Sequence, residues 1–188
     1  TWSIDPGKSS WFFDKKRAAM GAMADLGIHK TDLIQYLLDT TVAETRAFVG
    51  TLDKKDAAGN FIGVDDNAIC IYTMNNGIVG TMTASWSYYG EEDNSTVLYG
   101  TEGIMKIYSN PKFAIEIITK DVEKVLYDID KIQTNDNQTK SGIIDAFVES
   151  IVKNEEPVIS GKSVLSAMRA VFASIEASEC GHTVKIRQ

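Results

Sequence analysis

AICIYTM (68–74), Asn75-Asn76-Gly77 and IVGTMTASW (78–86) form one continuous stretch: two apolar runs flanking a turn. An Asn-Gly pair tolerates positive φ and closes a hairpin, so this stretch reads as two antiparallel strands. The runs are apolar at both parities. Cys70, Tyr72 and Met74 alternate with Ile69, Ile71 and, further along, Val79 and Met82. A sheet with one face in water would alternate strictly with polar residues.

The same pattern recurs outward. STVLY (95–99) and IMKIY (104–108) flank Gly100-Thr101-Glu102-Gly103, and FAIEIIT (113–119) and KVLYDI (124–129) flank an acidic turn at Asp121. AETRAFVGTL (43–52) supplies a further strand, and TVKI (183–186) a short closing one. Helical periodicity is found before and after this region. Met23, Leu26, Leu33, Ile34 and Leu37 share one face of a helix over 20–38. GIIDAFVESIVK (142–153) and SVLSAMRAVFASIEASE (163–179) read as two more helices, the second with Ser160 or Ser163 as N-cap and Gly181 as C-cap. Polar loops are read at 54–63 and 133–140, and an irregular lead-in at 1–16, broken by Pro6-Gly7 and carrying the aromatic cluster Trp11-Phe12-Phe13. The expected fold is α+β: a large, mostly antiparallel open sheet with helices on one face, all in one domain over 1–188.

Hydrophobic residues make up 44% and charged residues 24% of the 188 residues, a soluble globular profile. The net charge of −7, with no basic cluster, argues against nucleic acid and anionic membrane as partners. No apolar run approaches the roughly 20 residues that a membrane span needs. Cys70 and Cys180 stand far apart without metal-ligand spacing and read as reduced core residues, which suits the cytoplasm. No GxGxxG and no βαβ alternation occur, so no Rossmann dinucleotide site is expected in this chain.

Chemistry concentrates in Gly21-Ala-Met-Ala-Asp25-Leu-Gly27-Ile-His29-Lys-Thr-Asp32. On a helical wheel of about 100° per residue with Asp25 at the origin, His29, Asp32 and Tyr36 fall at roughly 40°, 340° and 20°. Two carboxylates, an imidazole and a phenol therefore share one strip beside the apolar face. Histidine moves protons near neutral pH, and a carboxylate at i−4 can hold one ring nitrogen while the other faces a substrate hydroxyl. The same spacing also serves an ordinary surface hydrogen bond, and Asp25, His29 and Asp32 could share a metal ion, although structural and catalytic metal sites use three or four strong ligands. Gly21 and Gly27 each cost a helix about 1 kcal/mol. Close approach of another backbone or a flat ring would justify them.

The run GxxxDxGxHxxD followed by LIQYLL resembles the signature of the glucose–fructose oxidoreductase, inositol dehydrogenase and rhizopine-catabolism (Gfo/Idh/MocA) family. Asp65-Asp66-Asn67-Ala68, Asn76-Gly77, Gly80-Thr81-Met-Thr-Ala-Ser-Trp86, Tyr99-Gly100-Thr101-Glu102-Gly103 and the helix from Gly161 to Gly181, with Met168, Val171, Phe172 and Ile175, are similar to its later elements in order. The resemblance implies the C-terminal, substrate-side domain of a two-domain NAD- or NADP-dependent dehydrogenase of a sugar, polyol or cyclitol, with the cofactor held by an N-terminal Rossmann domain absent here. It implies catalytic roles for His29 and Asp25, which match the family's proton-transferring and substrate-binding pair, and a supporting role for Asp32. Tyr36, on the same strip, joins Asp32 as a candidate substrate contact. The family's catalytic lysine, in an EKP-like motif of the Rossmann half, has no counterpart in this chain, and Lys30 points about 100° away from His29. The implied partners are a small sugar or polyol, the chain's own Rossmann domain, and further copies in a homodimer or tetramer built through the sheet. The same architecture is also shared by non-catalytic oligomerising sensors or scaffolds and by NAD-dependent glycoside hydrolases.

Overall fold

The structure is a computed structural model and describes residues 11–128, 142–157 and 159–187. The Pro6-Gly7 break and the loop 133–140 lie outside the described residues. Among the described residues four α-helices, α1 (Lys15–Ala18), α2 (Ile28–Leu38), α3 (Ile143–Lys153) and α4 (Gly161–Cys180), accompany eight strands. These are β1 (Val42–Gly50), β2 (Asn67–Met74), β3 (Val79–Ser85), β4 (Thr96–Gly100), β5 (Gly103–Ile107), β6 (Ile115–Thr119), β7 (Lys124–Tyr127) and β8 (Val184–Lys185). A π-helical turn, Met23–Gly27, leads directly into α2.

Every recorded strand pair is antiparallel, as the hairpins require. The strands form two four-stranded ladders rather than one continuous sheet, with orders β3-β2-β1-β8 and β4-β5-β6-β7. The polar connection WSYYGEEDNS (86–95) separates β3 from β4, and no ladder joins them among the described residues. The chain divides accordingly into two compact units, Thr1–Tyr89 with Glu156–Gln188, and Gly90–Glu155.

In the first unit, Gly77 sits at φ 86 in the turn between β2 and β3, the conformation that glycine adopts without a Cβ penalty. The register fixes which residues face inward. Thr45, Ala47 and Val49 of β1 lie opposite Tyr72, Cys70 and Ala68 of β2, which lie opposite Gly80, Met82 and Ala84 of β3. With Met23, Val42, Met74, Ala170 and Val171, the buried members of these rows form the main core. Fully burying side chains such as Met23 and Met82 contributes about 1.5–3 kcal/mol each.

Helix α4 packs on that inner face through small residues. Ala167, Ala170, Ala173, Ser174 and Ala177 of α4 are buried, whereas Met168 and Phe172, grouped with its apolar residues in the sequence, are exposed. Small side chains bring the helix close enough for hydroxyl contacts: Ser174 Oγ lies 3.1 Å from Thr45 Oγ1, and Ser178 Oγ bonds both the N–H and the C=O of Val49 at 2.8 and 3.2 Å. α4 begins after Ser160, whose carbonyl accepts from Val164 N–H, and ends at Gly181, φ 71. Cys70 is buried in the core, but Cys180 is exposed on the last residue of α4, contrary to its reading as a core residue.

The second unit is a meander of β4 to β7. Buried Glu116 on β6 pairs with Lys106 and Lys124 from the strands on either side, at 3.8 and 2.9 Å. The turn after β6 falls at Lys120-Asp121, as the acidic turn at Asp121 required, closed by Val122 N–H on the Thr119 carbonyl at 2.9 Å, and Val122 follows it at φ 66, a rare backbone conformation for a β-branched residue. Among the described residues no helix is long and apolar enough to cross a membrane.

Candidate active site

The site helix starts on a carboxylate supplied from more than forty residues away. Asp65 Oδ1 and Oδ2 accept the backbone N–H groups of Gly21 and Met23 at 2.8 and 2.7 Å, and its carbonyl accepts that of Ala22 at 2.9 Å. The first N–H groups of a helix have no intrahelical partners, and here one residue satisfies three of them. A Cβ on Gly21 would lie 1.8 Å from the Asp65 carbonyl oxygen, so the glycine is what lets the two backbones meet. Gly27 faces the Met23 and Met82 side chains instead. Gly21 thus answers to the close approach of another backbone, whereas Gly27 meets methionine side chains rather than a backbone or a ring.

The turn after this cradle is π-helical, Met23–Gly27. Its i→i+5 closure advances each residue by less than the α-helical step, so a uniform wheel does not describe Asp25 against His29. Asp25 is half-buried and its Oδ2 accepts the indole N–H of Trp86 at 3.0 Å. No hydrogen bond joins Asp25 to His29 among the described residues. His29, Asp32 and Tyr36, all inside regular α2, do share one face, and all three are exposed, Tyr36 at 79%.

The opposite side of α2 differs from the apolar face expected. Its buried residues are Thr31 and Gln35. Thr31 Oγ1 donates to the Gly27 carbonyl at 2.7 Å and meets Tyr72 OH at 3.0 Å. Gln35 accepts from Val42 N–H and donates to Ser166 Oγ, both at 3.2 Å. Polar residues are tolerated there because each hydrogen bond is made. Burial, with Cys70 beside it, pushes the Tyr72 hydroxyl well above its ordinary range, and burial does the same to the Cys70 thiol, so both stay neutral.

Asp66, next to the cradle, is fully buried. Its carboxylate accepts the backbone N–H groups of Leu52, Asp53 and Lys54 at 2.7, 2.9 and 2.6 Å and the Asn67 amide at 2.7 Å. Burial alone would raise its pKa, but the bonds from Lys54, Leu52, Asn67 and Asp53 outweigh it and hold the group below the usual carboxylate range. Its carbonyl accepts Trp86 N–H at 2.9 Å. Asp65 and Asp66 therefore tie the start of the site helix and the end of β3 to one corner.

Trp86 is only 3% exposed and packs with Ala22, Ile62 and Val64. Phe12 meets its ring edge-on at 6.5 Å and Phe13 tilts against it at 5.8 Å. Sequence reading named Asp65, Asp66 and Trp86 only as parts of similar motifs, because their bonds to residues 21–25 and 52–54 have no periodic signature. Among the described residues no group of three His, Cys, Asp or Glu side chains could hold a metal ion, and Asp25, His29 and Asp32 do not form one.

The model of the GFO/IDH/MocA C-terminal domain matches residues 1–106. This chain belongs to the GFO/IDH/MocA family. Levoglucosan dehydrogenase of Pseudarthrobacter phenanthrenivorans is 29% identical over 120 residues, which cover 54% of this chain and 31% of that protein. Among solved structures, levoglucosan dehydrogenase in complex with NADH matches with a TM-score of 0.83 at 20% identity, over 100% of this chain and 56% of the other. An oxidoreductase domain protein from Kribbella flavida matches with a TM-score of 0.81 at 19% identity, over 100% and 57%. The chain thus spans about a third of the curated relative's sequence and little more than half of these structures. The α+β architecture is that of the C-terminal domain of GFO/IDH/MocA oxidoreductases.

Proposed function

We propose that this GFO/IDH/MocA chain, over 1–188, is the substrate-side domain of an NAD- or NADP-dependent dehydrogenase that oxidises a hydroxyl of a sugar, polyol or cyclitol. The observation that carries the proposal is the pairing of a fixed carboxylate, Asp25 on Trp86, with an exposed imidazole, His29, at the start of the same helix. His29 takes the hydroxyl proton, and Asp25 orients the substrate or stabilises the charge that develops beside it. Asp32 and Tyr36, exposed further along the same face, hydrogen-bond the substrate's other hydroxyls. Nicotinamide, when bound, supplies the hydride acceptor.

The residues of this chain suit the substrate rather than the dinucleotide. A pyrophosphate is held by free N–H groups at a helix start, and the start of the site helix is already filled by the Asp65 carboxylate. On this proposal the cofactor belongs to a separate Rossmann domain. The free thiols of Cys70 and Cys180 fit a cytoplasmic protein. The apolar outer face of the β3-β2-β1-β8 sheet fits a homodimer or tetramer.

The test uses the full-length protein and a panel of sugars, polyols and cyclitols, followed by nicotinamide absorbance. His29→Ala lowers kcat by roughly 10²–10⁴, as loss of a positioned general base does, and Asp25→Asn does comparable damage with an unchanged melting temperature. Near-normal turnover in both variants overturns the assignment.

A further inference from the structure

We propose that Trp86 is a positioning residue for proton transfer: its indole N–H holds the Asp25 carboxylate in the orientation that serves the substrate hydroxyl and His29. The inference rests on the roles given to Asp25 and His29 above and adds the group that sets their geometry.

The bond runs from Trp86 Nε1 to Asp25 Oδ2 at 3.0 Å. An indole nitrogen is a donor only and does not titrate, so it fixes which way the carboxylate turns and keeps doing so at any working pH. A buried tryptophan needs one acceptor for its N–H, and a backbone carbonyl would meet that need. Here the acceptor is instead an ionisable side chain just before the face shared by His29, Asp32 and Tyr36.

The donor cannot drift. Its ring is locked by Phe12, Phe13, Ala22, Ile62 and Val64, and its backbone N–H is tied to the Asp66 carbonyl. Asp25 sits three residues after Ala22, whose N–H is tied to the Asp65 carbonyl, and two after Met23, whose N–H is tied to the Asp65 carboxylate. Two adjacent residues thus set the separation of both partners. The π turn between Met23 and Gly27 loosens the ordinary i, i+4 relation of Asp25 to His29. A side-chain anchor just beyond the end of β3 supplies the orientation that helix periodicity does not. A carboxylate left to rotate would spend much of its time misaligned, and misalignment of this kind is felt in the transition state.

The experiment replaces Trp86 in the full-length protein by 3-benzothienylalanine, in which sulfur stands in place of the N–H and the ring shape is kept. The expected result is a fall in kcat and kcat/KM of roughly 10- to 100-fold, the scale of a lost bond to a charged group, with KM within about twofold and the melting temperature unchanged. Trp86→Phe loses activity to at least the same degree. Unchanged kcat in the isosteric variant, a loss confined to KM, or a loss matched by a fall in melting temperature overturns the proposal and leaves Trp86 a packing residue. Failure of the underlying assignment is a separate result: there Asp25→Asn itself turns over normally.

Discussion

An alanine Cβ at Gly21 would stand 1.8 Å from a backbone carbonyl oxygen that is itself bonded to Ala22 N–H, so neither side can give way without losing the cradle. Gly21→Ala is therefore expected to destabilise by about 3 kcal/mol or more. Gly27→Ala meets the Met23 sulfur at 2.8 Å and the Met82 methyl at 3.4 Å, both in the buried core, which offsets the roughly 1 kcal/mol of helix propensity it gains, so its net effect stays within about 1 kcal/mol. Urea titration of the two variants compares them directly, and equal losses would remove the special status of Gly21. Asp66 makes a second residue-scale prediction. Its folded pKa lies below the unfolded value, so its ionised bonds stabilise fully above about pH 4 and are lost as pH falls through the lower folded value. Asp66→Asn should then cost about 2–4 kcal/mol at pH 7, with the gap to the parent narrowing below about pH 4. A gap that stays constant from neutral to acid would mean that carboxylate charge is not what the three N–H groups require. These residues also mark the limit of sequence reading at the site. His29, Asp32 and Tyr36 lie in regular helix, and periodicity alone places them on one face. Asp25 lies in the π turn that follows the Asp65 cradle, and its bond to Trp86 joins positions sixty-one residues apart, which no local pattern encodes.

Turn chemistry made most of the strands legible: Asn76-Gly77 closes β2 onto β3, and Gly100 to Gly103 closes β4 onto β5. What periodicity could not reveal is the manner in which an edge is covered. Among the described residues β8 pairs with β1 at Glu44 and Thr45, with Ile186 N–H adding a bond to the Ala43 carbonyl, and the far half of that edge of β1 has no strand neighbour. Ser178 of α4 fills the place of one by bonding both the N–H and the C=O of Val49. Unpaired edge groups are open to another chain or costly when buried. Ser178→Ala should therefore destabilise by about 1–3 kcal/mol, more than removal of an ordinary helix-surface serine. Hydrogen exchange sharpens the test, because Val49 N–H should lose protection in the variant while Ala170 and Val171 in the middle of α4 keep theirs. Retained protection at Val49 would show that the hydroxyl is not its effective partner. The buried Thr31 and Gln35 follow the same logic. A polar residue on an inner helix face reads as surface until the partners, here Tyr72, Val42 and Ser166, are brought to it by the fold.

The division into two four-stranded ladders was not legible, because hairpin signals specify neighbours and not where a series of hairpins breaks. The apolar outer face of β2 was legible and bears on assembly, whereas Met82, set with Ile69, Ile71 and Val79 in the sequence, lies on the inner face opposite Cys70 and is 2% exposed, leaving Thr81 and Thr83 on the outer side of β3. On the outer face of the first sheet, Phe48 lies opposite Ile69, and Ile69 opposite Thr83. Arg46 lies opposite Ile71, and Ile71 opposite Thr81. Phe48, Ile69 and Ile71 are 45%, 46% and 48% exposed, and Val79 is 64% exposed. Such a cluster on an antiparallel sheet otherwise open to water points to a partner surface. Burial there stabilises by about 25 cal/mol per Å² before association costs, and a two-fold dimer is the default closure with a dimer of dimers next. Each copy carries a net charge of −7, so long-range repulsion opposes association at low ionic strength and is screened as salt rises, while the apolar contribution remains. Light scattering at micromolar concentration should therefore give at least a dimer mass, more fully formed in moderate salt than in its absence. Ile71→Lys places an ammonium at the middle of the face without touching the core, since the side chain points away from it. The variant should dissociate toward a monomer with little change in intrinsic fold stability. A parent chain that runs as a 20.7 kDa monomer at every salt concentration would mean that this face is not an interface between copies. Dissociation accompanied by unfolding would mean instead that the sheet depends on its partner to stand.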